Sequence, residues 1–202
     1  STGLPPAPST VRPEMRAVQL DWERLLKNTD AILSSEQTVL SLHQVAATLA
    51  ETVPQLQVEY EKVVETLLQR GAPAAQVAMA QRQSLLAERI LGAVNTVLSG
   101  DENSQQAADA FGRDAARFGL VLNGMLQGNA ALKISQVEDR DARARLTEIS
   151  ELFEFVSGSV DEILETSPEL FKVRESATNI FTLSQTLLDE ASHLASRFEN
   201  LA

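Results

Sequence analysis

APAAQVAMAQRQSLLAERILGAVNTVLSGDENSQQAADAFGRDAARFGLVLNGMLQGN, residues 72 to 129, decides the fold. Inside it one pattern occurs twice, RILGAVNTVLSGD at Arg89–Asp101 and RFGLVLNGMLQGN at Arg117–Asn129. Each copy runs arginine, apolar helix, asparagine, leucine, then glycine with Asp or Asn. Each therefore reads as the closing turns of an amphipathic helix stopped by Gly100 or Gly128, because glycine takes the left-handed C′ conformation without a Cβ clash. The stretch is predicted to be a hairpin of two related helices. Met79, Leu86, Ile90, Ala93 and Val97 form the apolar face of the first. Phe111, Ala115, Phe118, Leu122 and Met125 form that of the second, with Asp101–Asn103 as turn and cap.

Upstream, residues 1–13 read as a tag remnant at Ser1–Gly3 followed by a proline-rich lead-in, and residues 14–202 as a helical domain. Met15, Val18, Trp22, Leu25, Thr29, Ile32, Glu36, Val39, His43, Ala46 and Ala50 step by three and four, the spacing of a coiled-coil seam. That seam predicts a first helix about 55 Å long at roughly 1.5 Å per residue, closed or kinked at Pro54. A shorter helix with Leu56, Tyr60, Val63 and Leu67 runs up to Gly71. Thr29, Glu36 and His43 form a polar column on the first seam, either a register device or a proton-sensitive layer.

Downstream, Ser135 and Glu138 have the spacing of a capping box ahead of a fifth helix with Leu146, Ile149, Phe153, Val156, Val160 and Ile163. Ser167-Pro168-Glu169 reads as the N-cap, N1 proline and first-turn acid of a sixth. Its seam runs from Leu170 through Leu187 to Leu201 unbroken, which predicts a helix continuing past Ala202. The expected fold class is thus all-α: an elongated antiparallel helical bundle with long first and last helices. One bundle or two stacked four-helix-type modules both fit.

A chain of 202 residues with 17 basic and 28 acidic side chains has no basic face for phosphates, so nucleic acid is excluded as a partner. Zero cysteines and two histidines leave too few ligands for zinc, and no cofactor is expected. No nucleophile elbow, phosphate loop or metal triad appears, and the carboxylate pairs Asp139 with Asp141 and Asp161 with Glu162 fall on ordinary helix starts and faces, so an enzyme is not expected. No apolar run approaches the roughly 20 residues of a membrane-spanning helix.

AQRQSLLAERI at Ala80–Ile90 resembles the corresponding segment of the N-terminal sensor domain of type IV pili methyl-accepting chemotaxis transducers, a family related to nitrate-sensor ectodomains. AFGRDAARFGLVLNGMLQGN, LTEISELFEFVSGSVDEIL and ESATNIFTLSQTLLDEASHL resemble the same family. The resemblance implies a periplasmic ectodomain of an inner-membrane receptor for twitching motility and surface sensing. Such a receptor works as a homodimer and takes its input from type IV pilin subunits. It would meet the membrane only through flanking spans, and kinase-coupling proteins only through a cytoplasmic part, both outside this stretch.

In nitrate sensors the related helix presents an anion-binding arginine from each subunit, and here Ser84 stands at that place, which argues against nitrate. Arg82 and Arg89, seven apart and near one face, remain candidates for another anion or an acidic partner, with Arg117 equivalent to Arg89 in the repeat. The plainer reading makes these rim arginines paired with acids such as Glu88. A structural helical adaptor that binds partner helices without sensing is the alternative function.

Overall fold

The structure, a computed structural model, describes residues 8 to 200. The expected tag remnant at Ser1–Gly3 and the seam position Leu201 lie outside the described residues. Five helices follow in order: α1 (Arg12–Ser34), α2 (Glu36–Gln69), α3 (Ala74–Leu98), α4 (Ser104–Gln127) and α5 (Arg140–Glu199). The described residues are all-α, apart from one isolated bridge between Asn129 and Ile134. They divide into two compact units, one of Thr38–Phe171 and the other of the residues on either side of it.

The larger unit is an antiparallel four-helix bundle, as its side-chain pairs show. Tyr60 and Gln57 of α2 meet Gln83 and Ser84 of α3, and Arg89 of α3 meets Asp114 of α4. Gly112 and Gly119 of α4 face Leu164 and Phe153 of α5. Glu59 and Ser41 of α2 meet Arg145 and Glu162 of α5, which closes the ring. In each pair numbering climbs on one helix as it falls on the other. Buried Leu42, Leu49, Leu56 and Val63 recur every seven residues on α2, and Phe111, Phe118 and Met125 every seven on α4. The Phe118 ring stands edge-on to Tyr60 at 5.6 Å and against Phe153 at 4.9 Å. Such pairs contribute about 0.5–1.5 kcal/mol each beyond their burial.

The smaller unit holds α1 and the second half of α5, also antiparallel. Glu14 pairs with Arg197 at 3.3 Å, and Asn28 accepts from Asn179 at 3.3 Å. Between them Glu190 lies beside Asp21, and desolvation followed by that like charge raises the Glu190 carboxyl above the usual carboxylate range.

The predicted hairpin is α3 and α4, and its stops are where glycine chemistry puts them: φ is +63° at Gly100 and +81° at Gly128. Four expectations need correction. The first long helix is interrupted at Ser35, not at Pro54, which lies inside α2 with buried Val53 and Leu56 around it. The break resets the register, so Leu42 and Leu49 are buried while His43 and Ala50 of the expected seam are exposed. Thr29, Glu36 and His43 therefore form no interior column: Glu36 and His43 are exposed, and the Thr29 hydroxyl donates to its own helix at the Leu25 carbonyl. The polar column that does form is Glu14, Asp21 and Asn28, also at sevens.

The third correction is at Ser135, whose hydroxyl accepts from Gln76 at 3.1 Å instead of capping. Asp139 caps α5, its Oδ1 accepting the Ala142 amide at 2.9 Å. The fourth is that the expected fifth and sixth helices are one helix of 60 residues running through Pro168. Proline has no N–H to offer the carbonyl four residues back, that of Leu164. The Ser167 hydroxyl donates to that carbonyl at 3.2 Å, which restores a donor where the ladder lacks one.

Candidate functional site

Residues seven apart lie on one helix face, and α3 uses two such faces for opposite purposes. One carries Gln76, Ala80, Gln83, Ala87 and Ile90 into the bundle, all buried. The Gln83 amide nitrogen donates to the Tyr60 hydroxyl at 3.1 Å and to the Phe118 carbonyl at 2.8 Å, so one side chain ties α2, α3 and α4. Burial pushes the Tyr60 phenol well above its ordinary value, against a smaller opposing effect of the Gln83 bond. Gln76 donates to Ser135 and to the Gln136 carbonyl, fixing the connection between α4 and α5 to the start of α3.

The other face carries Arg82, Leu85 and Arg89 toward a groove of about 940 Å³. Its second wall is α4, with Asp114, Arg117, Leu120 and Val121, and its end is the irregular segment after Gly128, with Leu132 and Ile134. That segment is held by local bonds. The Asn129 side chain accepts the Leu132 amide at 3.1 Å, and Lys133 sits at φ +55°. Arg143 donates to the Leu126 carbonyl at 2.7 Å and the Val137 carbonyl at 2.9 Å, which closes the end of α4.

Three of the four sequence candidates, Arg82, Arg89 and Arg117, thus line one groove. Ser84 does not. Two residues on from Arg82 it faces α2, where its backbone carbonyl accepts from Gln57 at 3.5 Å. Arg89 forms an ion pair, but with Asp114 at 2.8 Å and not with Glu88. Among the described residues no acid lies within ion-pair distance of Arg82 or Arg117. The groove therefore carries an excess of positive charge in a chain whose net charge is −11. Asn95 and Asn123, matched in the two repeats, are both exposed.

A second groove, of about 840 Å³, lies between α2 and α5 beside Pro54 and is lined by Glu59, Glu148 and Glu151 with exposed Phe155. The Glu59 carboxyl is held below its ordinary value, chiefly by its hydrogen bond to Lys62. Among the described residues no group of acids, histidines or cysteines is placed to hold a metal, and no helix is long and apolar enough to cross a membrane.

No family model matches the chain. Over all 202 of its residues it is 72% identical to Protein PilJ of Pseudomonas aeruginosa, of which it covers 30%. Over 187 residues it is 54% identical to the putative methyl-accepting chemotaxis protein AlkN of Alcanivorax borkumensis, of which it covers 28%. An all-helical bundle with these relatives is a chemotaxis-receptor domain. More narrowly, the chain is a chemoreceptor domain of the PilJ type.

Proposed function

We propose that this chain is the extracytoplasmic sensory domain of a methyl-accepting chemotaxis receptor that governs type IV pilus twitching motility and surface sensing. Its place is the periplasm, as the ectodomain of an inner-membrane protein, and its inputs are type IV pilin subunits. The observation that carries this reading is 72% identity to Protein PilJ along the whole chain. The receptor acts as a homodimer. In the smaller unit Met15, Trp22, Leu26 and Leu33 of α1, with Phe181 and Leu188 of α5, are exposed apolar side chains that suit a second copy. Signalling is a displacement of α1 against α5, two packings of one helix pair that ligand or pilin contact biases.

A structural adaptor is the second reading, and the same exposed stripe favours it, because it would serve any partner helix. Calorimetric titration of a soluble type IV pilin ectodomain into this chain separates the two. Saturable binding, with loss of twitching when this segment is deleted from the intact receptor, supports sensing. Unimpaired twitching after that deletion refutes it.

A further inference from the structure

We infer that the groove between α3, α4 and residues 129–134 binds a single-chain amphiphile with an anionic head, of which a long-chain carboxylate is the simplest member. Two independent features of the groove select that class. The first is charge. Among the described residues no acid is in reach of the Arg82 and Arg117 guanidinium groups, and Asp114 answers only Arg89. Guanidinium forks match a carboxylate or phosphate oxygen pair.

The second feature is apolar surface left wet at the same place. Leu85, Leu120 and Leu132 are 61%, 49% and 45% exposed, all three line the groove, and Val121 and Ile134 continue the apolar wall. Leucines on a bundle exterior are ordinary singly, but three around one concavity are a surface to be covered. The volume of about 940 Å³ falls in the range of about 300–1,000 Å³ typical of small-molecule sites.

Simpler ligands satisfy only half of this. A small inorganic anion would answer the arginines and leave the leucine wall in water. A neutral hydrocarbon would cover the wall and strip water from two unpaired cations. An amphiphile lays its chain along Leu85, Leu120 and Leu132 and sets its head against Arg82 and Arg117. This inference deepens the sensory reading and rests on it only for the claim that occupancy is a signal.

The test is calorimetric titration of the folded chain with octanoate, decanoate and dodecanoate below their micelle concentrations, with alcohols of equal length, acetate and nitrate as comparators. Carboxylate affinity is expected to rise about two- to four-fold per methylene, the upper figure corresponding to about 0.8 kcal/mol for full burial. Each alcohol is expected to bind at least about ten-fold more weakly, the value of one charge-assisted contact. Arg82→Gln should bring the carboxylate to the alcohol's affinity and keep the chain-length slope, while Leu120→Asn should flatten the slope. Both positions are exposed, so unchanged thermal melts verify that the variants fold. Affinity independent of chain length, equal binding of acid and alcohol, or two variants that bind like the parent would overturn the inference. Pilin binding without amphiphile binding would overturn it and leave the sensory reading standing. Amphiphile binding that leaves receptor output unchanged would do the reverse.

Discussion

Replacing Gln83 by leucine tests whether the bundle is organised by its buried amide or by apolar packing alone. The side chain is 2% exposed and makes two hydrogen bonds, to the Tyr60 hydroxyl and the Phe118 carbonyl. Leucine keeps the apolar stem and deletes both bonds. Each is worth about 1 kcal/mol net, and a buried polar group left unpaired costs about 1–3 kcal/mol. The Phe118 carbonyl keeps its place in the α4 ladder, but the Tyr60 hydroxyl is left with the Met125 sulfur at 4.0 Å. The sum is a loss of about 2–3 kcal/mol, or about 5–10 °C in Tm for a chain of this size. Urea and thermal unfolding measure it, with Tyr60, the one tyrosine, reporting on the bundle and Trp22, the one tryptophan, on α1. A cycle with Tyr60→Phe should show coupling of about 1 kcal/mol, since the second substitution removes a bond that the first has already lost. Gln83→Leu within about 0.5 kcal/mol of the parent, or strict additivity in the cycle, would refute the reasoning.

The raised Tyr60 phenol gives a pH effect of fixed sign. The folded state holds the proton more tightly than the unfolded chain, so bundle stability is full below about pH 10 and falls above it, and Tyr60→Phe should remove that slope in alkaline melts. Glu190 works at the other end of the scale: its raised carboxyl means that the α1–α5 pair loses stability as pH rises above the usual carboxylate range. Glu190→Gln should raise the Trp22 transition at neutral pH and flatten its pH dependence; an unchanged profile would count against the pairing with Asp21. Gly100→Ala and Gly71→Ala form a matched pair, both at positive φ. A Cβ at Gly100 would stand 2.9 Å from the Leu170 carbonyl oxygen, whereas at Gly71 it meets nothing. The first should cost about 2–4 kcal/mol and the second about 1–2 kcal/mol in urea unfolding. Equal losses would show that the approach of α5 to Gly100 is soft.

The hairpin was legible because its signals are local: a seven-residue apolar period and a glycine that ends it. Arg82 and Arg89 were legible as neighbours for the same reason, and Arg117 through the repeat. What escaped was non-local. The Ser167-Pro168-Glu169 triplet carries every mark of a helix start, yet the Ser167 hydroxyl serves the Leu164 carbonyl instead, because buried Ile163 and Leu170 keep the helix docked on both sides. At Ser35 nothing in the sequence marks the break. Gln83 is one polar residue in the run QRQS, and the signal that places it inside is its helical register with Gln76, Ala80, Ala87 and Ile90. Its partners Tyr60 and Phe118 lie 23 and 35 residues away, where periodicity is silent. The resemblance to nitrate sensors groups Ser84 with the arginines, but the helical turn takes it to the face toward α2.

The cationic groove on an acidic chain also sets how a negatively charged molecule arrives. At a distance such a molecule meets the field of 28 acidic against 17 basic side chains and is turned away; only within about a Debye length, roughly 8 Å at physiological salt, does it feel Arg82 and Arg117. Dissolved ions screen the far repulsion before they weaken the near attraction. Encounter between this groove and an anion therefore quickens as salt is added from very low levels, the opposite of ordinary steering between unlike charges. The arginines act as a filter that admits by contact, not a beacon that gathers from afar.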